Sequence, residues 1–223
     1  MPAMKGCRHA GVNAAAAARA LSRADPRLGS LIERVGPCRL EIETMQSPFQ
    51  ALTEAIVYQQ LNGRAAAMIL ERVIGLFPPK RFPRPEDVLG ATEGRLREAG
   101  LSRAKVAALK DLSAKTLDGT LPPLRTLARM EEEEIVARLT SIRGVGRWTV
   151  EMLLIFRLGR PDVLPVGDYG IRKGFARAFR TRGLPTPQQV ARRGERWRPH
   201  RTVASWYLWR ALDSPIGNAR RDQ

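Results

Sequence analysis

Apolar residues recur at intervals of three and four along nearly the whole chain, and period-two alternation rich in Val, Ile and Thr is scarce. The pattern predicts an all-α protein. Ser47 and Pro48 head the segment "PFQALTEAIVYQQ" as N-cap and first helical residue, which predicts a helix over 48–60. A second helix, about 63–76, follows the polar break at Asn62-Gly63, and the prolines of "FPPKRFPRP" (77–85) forbid its continuation. Shorter helices near 86–99, a longer one at 103–117 and another at 123–129 come next. The segment 131–141, "EEEEIVARLTS", places its acids in the first turn, where they complement the helix dipole. A very apolar helix over about 147–158 ends at Gly159 and Pro161; "DVLPVG" (162–167) is extended, and helices near 169–180, 187–197 and 200–212 follow. Upstream, "MPAMKGCRHAGVNAAAAARAL" reads as a tail entering one helix. As a targeting peptide it is poor, because alanine is weakly apolar and Arg19 interrupts the run.

Arg143-Gly144-Val145-Gly146 joins two of these helices by a tight turn. Its glycines can adopt positive φ and leave the backbone bare of Cβ atoms. Bare amides leading into a helix N-terminus suit a phosphate, and they ignore base identity. The same residues also suit an ordinary αα-turn with a glycine C-cap.

The 223 residues suffice for one compact domain or two small lobes. No window approaches the roughly 18–20 apolar residues of a membrane helix. The formal charge is +16, which points to a polyanionic partner. Of the 38 basic residues 32 are Arg, an imbalance that a GC-rich genome also produces. Location says more: ten basic residues and one acid, Glu195, lie between Arg172 and Arg201. Cys7, Cys38, His9 and His200 are the only cysteines and histidines, too few for a structural zinc site or an iron–sulfur cluster. A reducing, intracellular compartment is expected.

The stretch "LTSIRGVGRWTVEM" (139–152) resembles the helix-hairpin-helix motif. Together with "DVLPVGDYGIRKGF" (162–175) it is similar to the HhH-GPD superfamily of DNA glycosylases, and Asp168, 22 residues after Gly146, stands at that superfamily's spacing. "AIVYQQLNGRAAAMI" (55–69) and "ERWRPHRTVASWYLW" (195–209) resemble the AlkA-type 3-methyladenine DNA glycosylase II branch, so the matches spread from about 48 to 212.

The resemblance implies an all-α, two-lobed HhH-GPD fold with the active cleft between lobes. Residues 1–47 would form a tail and helix packed with the C-terminal lobe, 48–160 a helical lobe containing the hairpin (131–158), and 161–223 the C-terminal helices that complete the second lobe and carry the catalytic acid. The additional N-terminal domain of full-length AlkA is not expected. The implied activity is monofunctional: hydrolysis of the N-glycosidic bond of alkylated bases, chiefly 3-methyladenine, in duplex DNA, leaving an abasic site. A glycosylase for deaminated or oxidised bases and a non-catalytic hairpin protein remain alternatives. The expected partner is double-stranded DNA with damaged bases, without a membrane and as a monomer, in the cytoplasm or nucleoid of a bacterium or the nucleus of a eukaryote.

Residue by residue, the resemblance assigns backbone binding to the amides of Gly144, Gly146 and Thr149. Arg147 beside them and the basic C-terminal residues Arg172, Lys173 and Arg201 are candidate phosphate contacts by charge alone, and a solvated charged face explains the latter equally well. The carbonyls of Thr140, Ile142 and Val145 would coordinate a monovalent cation, Na+ or K+; no other cofactor is required. Arg143 departs from the proline frequent in the family. Asp168 would stabilise the sugar's developing charge and direct water, although local sequence offers an N-cap role as well. Trp148 stands where bifunctional relatives carry a nucleophilic lysine, hence the monofunctional reading. With Met152 and Ile155 it shares a helical face, so core packing is its other explanation. Trp209 falls where an aromatic stacks on the flipped base, although its crowding with Trp197, Trp206 and Tyr207 also suits an aromatic core; Met152 falls where a second aromatic could stand, and Tyr58 joins them in the pocket. Either Gln60 or Leu61 would fill the gap left by the extruded base, with Asn62 beside them on the DNA.

Overall fold

The computed structural model describes residues 13–43, 45–79 and 82–213, and every regular element among them is helical. The chain forms two compact units. One is contiguous, Glu43–Leu153; the other combines the described residues of Met1–Ile42 and Leu154–Gln223. The divisions fall a few residues from those read in the sequence. The second lies inside an apolar helix that carries no compositional break.

The discontinuous unit begins with α1 (Ala14–Ala24) and α2 (Pro26–Val35). The sequence reading predicts a single helix here. Two form because Asp25 ends the first and caps the second, with Pro26 at the first helical position. The residues preceding Asn13, including the expected tail, lie outside the described residues. The other helices of this unit are α11 (Tyr169–Phe179), α12 (Pro187–Gly194), which a 3-10 turn (Glu195–Trp197) continues, and α13 (Arg201–Arg210). Leu21, Leu28, Leu31, Ile171, Phe175, Val190, Trp197, Val203 and Leu208 make one buried cluster. Each such side chain contributes about 1.5–3 kcal/mol relative to an exposed one.

Asp25 ties the two segments of this unit together. Its carboxylate is fully buried and accepts two hydrogen bonds from the Arg193 guanidinium, both 2.8 Å, and one from Trp197 Nε1 at 3.0 Å. Burial pushes the carboxyl up, but the bonds from Arg193 and Trp197 and the charge of Arg193 outweigh it and hold the group below its ordinary range.

The contiguous unit holds α3 (Pro48–Tyr58), α4 (Gly63–Gly75), α5 (Pro85–Gly90), α6 (Glu93–Glu98), α7 (Arg103–Leu117), α8 (Leu124–Leu127) and α9 (Glu132–Leu139), followed by α10 (Arg147–Phe156), whose last residues belong to the other unit. Ser47, Asn62, Thr92 and Ser102 each accept an N-cap hydrogen bond, which is why α3, α4, α6 and α7 start where they do. Thr92 also explains why the region read as shorter helices near 86–99 resolves into α5 and α6. Helix α7 lies at the centre of this unit, packed against α3, α5 and α6 through Val106, Leu109 and Leu112.

Candidate functional site

The hairpin between α9 and α10 is anchored by two buried side chains, Ile142 and Val145, and closed by a bond from Val145 N to Ile142 O at 3.0 Å. Gly144 takes φ +78°, and a Cβ there would stand 3.0 Å from the Ala108 Cβ. Gly146 differs from the sequence expectation: its φ is not positive, and nothing lies within 4 Å of where its Cβ would be. One glycine therefore shapes the turn, and the other leaves open space ahead of α10. Thr149 sits in the first turn of that helix, where amides have no intrahelical acceptor, with its side chain packed inward. The Arg143 N–H, which a proline would lack, donates to Asp111 Oδ2 at 2.7 Å.

Beside the hairpin, α3 ends at Tyr58 and the chain turns sharply through Gln60, which adopts a left-handed φ of 57°. Tyr58 and Leu61 are exposed apolar side chains at this tip, and the Asn62 side chain caps α4 by accepting from Ala65 N at 2.9 Å. Gln59, to which the sequence reading assigns no separate role, donates from Nε2 to the Gly144 carbonyl at 2.9 Å. Lys105 Nζ donates to the carbonyls of Val57 and Gln59 at 2.8 and 2.9 Å.

On α10, Trp148 is 52% exposed, which rules out plain core packing; Ile155 is fully buried and Met152 half-buried. Arg147 pairs with Glu133 at 2.8 Å and with Glu151 at 3.8 Å, and hydrogen bonding to Glu133 holds its guanidinium above the usual range.

In the other unit Asp168 caps α11, accepting from Ile171 N at 2.7 Å. The same oxygen accepts from Trp209 Nε1 at 2.9 Å, so the carboxylate serves as helix cap and is gripped by the aromatic at once. Trp209 stacks on Phe156, with ring centroids 5.8 Å apart and planes at 26°. Phe156 is missing from the sequence reading, although it follows Met152 by four residues and so continues the Trp148–Met152 row. Two glycines allow α11 and α13 to meet this closely. A Cβ at Gly174 would fall 1.9 Å from the Leu208 carbonyl oxygen, and one at Gly170 would fall 3.0 Å from both Asp168 Oδ1 and Trp209 Cδ1.

The basic C-terminal residues divide into two kinds. Arg172 Nε donates to Pro185 O at 2.8 Å, and Lys173 Nζ lies 5.8 Å from the Tyr169 ring centroid. Arg201, by contrast, is engaged by Asp162 through two bonds of 2.8 and 2.9 Å.

The family model described as HhH-GPD superfamily base excision DNA repair protein matches residues 53–199. DNA-3-methyladenine glycosylase 1 of Schizosaccharomyces pombe is 37% identical over 191 residues, 85% of this chain and 84% of that protein. A structure of the S. pombe 3-methyladenine DNA glycosylase in complex with abasic DNA superposes with a TM-score of 0.76 at 36% identity, covering 90% of this chain and 98% of that one. A DNA-3-methyladenine glycosidase structure from Bacillus halodurans gives a TM-score of 0.81 at 32% identity over 93% and 94% of the two chains. With its hairpin, its capping aspartate and a family match over most of its length, this chain belongs to the HhH-GPD superfamily of base excision DNA repair proteins.

Proposed function

We propose that this protein is a DNA glycosylase that removes alkylated bases, 3-methyladenine foremost, from duplex DNA by hydrolysis. The observation that carries the reading is Asp168, a carboxylate oriented by Trp209 Nε1 and by the first turn of α11. As the C1′–N bond breaks, its electron pair leaves with the base and positive charge builds on the sugar. A preorganised carboxylate stabilises that charge and accepts the proton of the attacking water. Alkylated purines are themselves cationic, and an aromatic face attracts a cation by about 0.5–2 kcal/mol, a role suited to Trp209. Trp148 offers no amine for Schiff-base formation, so the product is an intact strand with an abasic site.

The amides of Gly144, Gly146 and Thr149 hold a phosphate, and the exposed Gln60–Leu61 tip enters the duplex. The donor set of Thr140, Ile142 and Val145 suits Na+ or K+: three neutral backbone oxygens, of which the Ile142 carbonyl keeps one lone pair after accepting Val145 N–H. When bound, such an ion would screen the phosphate charge. Grip, tip and carboxylate all belong to one chain, so a monomer suffices, acting wherever the cell keeps its DNA.

A labelled duplex containing 3-methyladenine tests the reading. The wild-type protein should release the base and Asp168→Asn should lose at least a hundredfold in single-turnover rate, without borohydride-trapped strand cleavage by either. No release by the wild-type protein, or full activity in the variant, would overturn the reading.

A further inference from the structure

Four residues of α7 face the two DNA-directed loops. Lys105 holds the carbonyls at the end of α3, and the Ala108 methyl meets the space that Gly144 leaves. Asp111 accepts the Arg143 N–H, and Lys115 pairs with Asp111 at 3.3 Å while donating to the Ser141 carbonyl. At 100° per residue these positions span about a third of the helix circumference. Gln59 closes the arrangement by joining the tip directly to the Gly144 carbonyl.

We infer that this face of α7 acts as a ruler. Lys105 and Asp111 are positioning residues that fix the spacing between the phosphate-holding hairpin and the Gln60–Leu61 tip, so that gripping the backbone delivers the tip to the extruded nucleotide. The inference rests on the glycosylase reading above. Three features support it over ordinary surface bonding. Gln60 holds a left-handed φ that a non-glycine residue adopts only under constraint, and Lys105 supplies that constraint at two carbonyls. The Arg143 N–H in the turn is taken up by Asp111, which ties the hairpin to a separate helix. Both bonds involve an ionised group, the stronger class of hydrogen bond.

The test compares 3-methyladenine paired with thymine against 3-methyladenine opposite an abasic site, where extrusion is easier and the tip matters less. Lys105→Met and Asp111→Asn should slow release from the paired duplex at least tenfold and from the unpaired one less than twofold, and Lys105→Arg should recover most of the loss. Parallel loss on both substrates, or no loss on either, would overturn the inference. If Lys105→Met does not fold, Gln59→Ala, which removes only one exposed hydrogen bond, decides by the same ratio. Fluorescence of 2-aminopurine opposite an abasic site reports tip entry without catalysis. A wild-type response that the variants lack supports the ruler even if no base is released, and an equal response in all proteins refutes it.

Discussion

Gly170→Ala separates the helix from the chemistry it carries. The new Cβ would sit 3.0 Å from Asp168 Oδ1 and 3.0 Å from Trp209 Cδ1, well inside the roughly 3.5–4.0 Å of an ordinary carbon contact. Relief requires the indole and the carboxylate oxygen each to give by a few tenths of an ångström, which lengthens and tilts the 2.9 Å Trp209–Asp168 bond. A hydrogen bond to an ionised group is worth about 1.5–3 kcal/mol, equivalent to roughly 10–150-fold in rate. Stability should move little, because alanine is favoured over glycine in a helix by up to about 1 kcal/mol and this opposes the strain. Single-turnover release of 3-methyladenine and a thermal melt, measured on the same preparation, are the assay. The expected result is a rate at least tenfold lower with a Tm within about 3 °C of wild type. Trp209→Phe, which keeps a ring but removes the N–H, should reproduce the rate loss without touching α11. A wild-type rate in either variant would refute the idea that the indole orients the carboxylate.

Gly174→Ala drives a Cβ into the Leu208 carbonyl, and backbone cannot yield as a side chain does, so a loss of about 1–3 kcal/mol and a visibly lower Tm are expected. Asp25→Ala leaves the buried Trp197 N–H and the Arg193 charge without an acceptor; because Arg193 is 29% exposed, the cost should lie near 3 kcal/mol, a Tm drop of about 6–12 °C. Because the Asp25 carboxyl is depressed below 3.8, its contribution is fully present above that pH and disappears as pH falls through the lower native value. The gap between wild type and Asp25→Ala in urea melts should therefore be constant near neutrality and narrow only in strong acid. Replacing Na+ and K+ by tetramethylammonium at fixed ionic strength should weaken binding to an abasic duplex severalfold if the hairpin carbonyls hold an ion.

Caps and hairpin were legible in the sequence because their signals are local. Ser47-Pro48 and the Asn62-Gly63 break announce α3 and α4 within a few residues. Asp25-Pro26 follows the same rule, but the alanine run before it hides the joint by continuing as good helix on both sides. The cap role of Asp168 is legible from residue type, while its candidacy for catalysis comes from the family resemblance. Its bond to Trp209, 41 residues away, is tertiary, and so are the contacts of Lys105 with α3 and of Asp111 with the hairpin. Periodicity shows only that Lys105 and Asp111 lie on a helix. The basic C-terminal run misleads in the other direction: charge is visible in sequence, but pairing such as Arg201 with Asp162 is not.

The order of segments along the chain also sets an order in time. The hairpin and the Gln60–Leu61 tip, proposed above to meet the DNA, lie in one contiguous stretch ending at Leu153. The carboxylate's unit cannot close until Arg193, 168 residues after Asp25, and then Trp209 have been made. At about 5–20 residues per second, a growing chain thus spends several seconds with its hairpin unit fully synthesised and its Asp168–Trp209 pair not yet joined. During that interval α1 and α2 have been made, but the helices that bury Leu21 and Leu28 have not, so the apolar face of the first two helices waits for partners synthesised last.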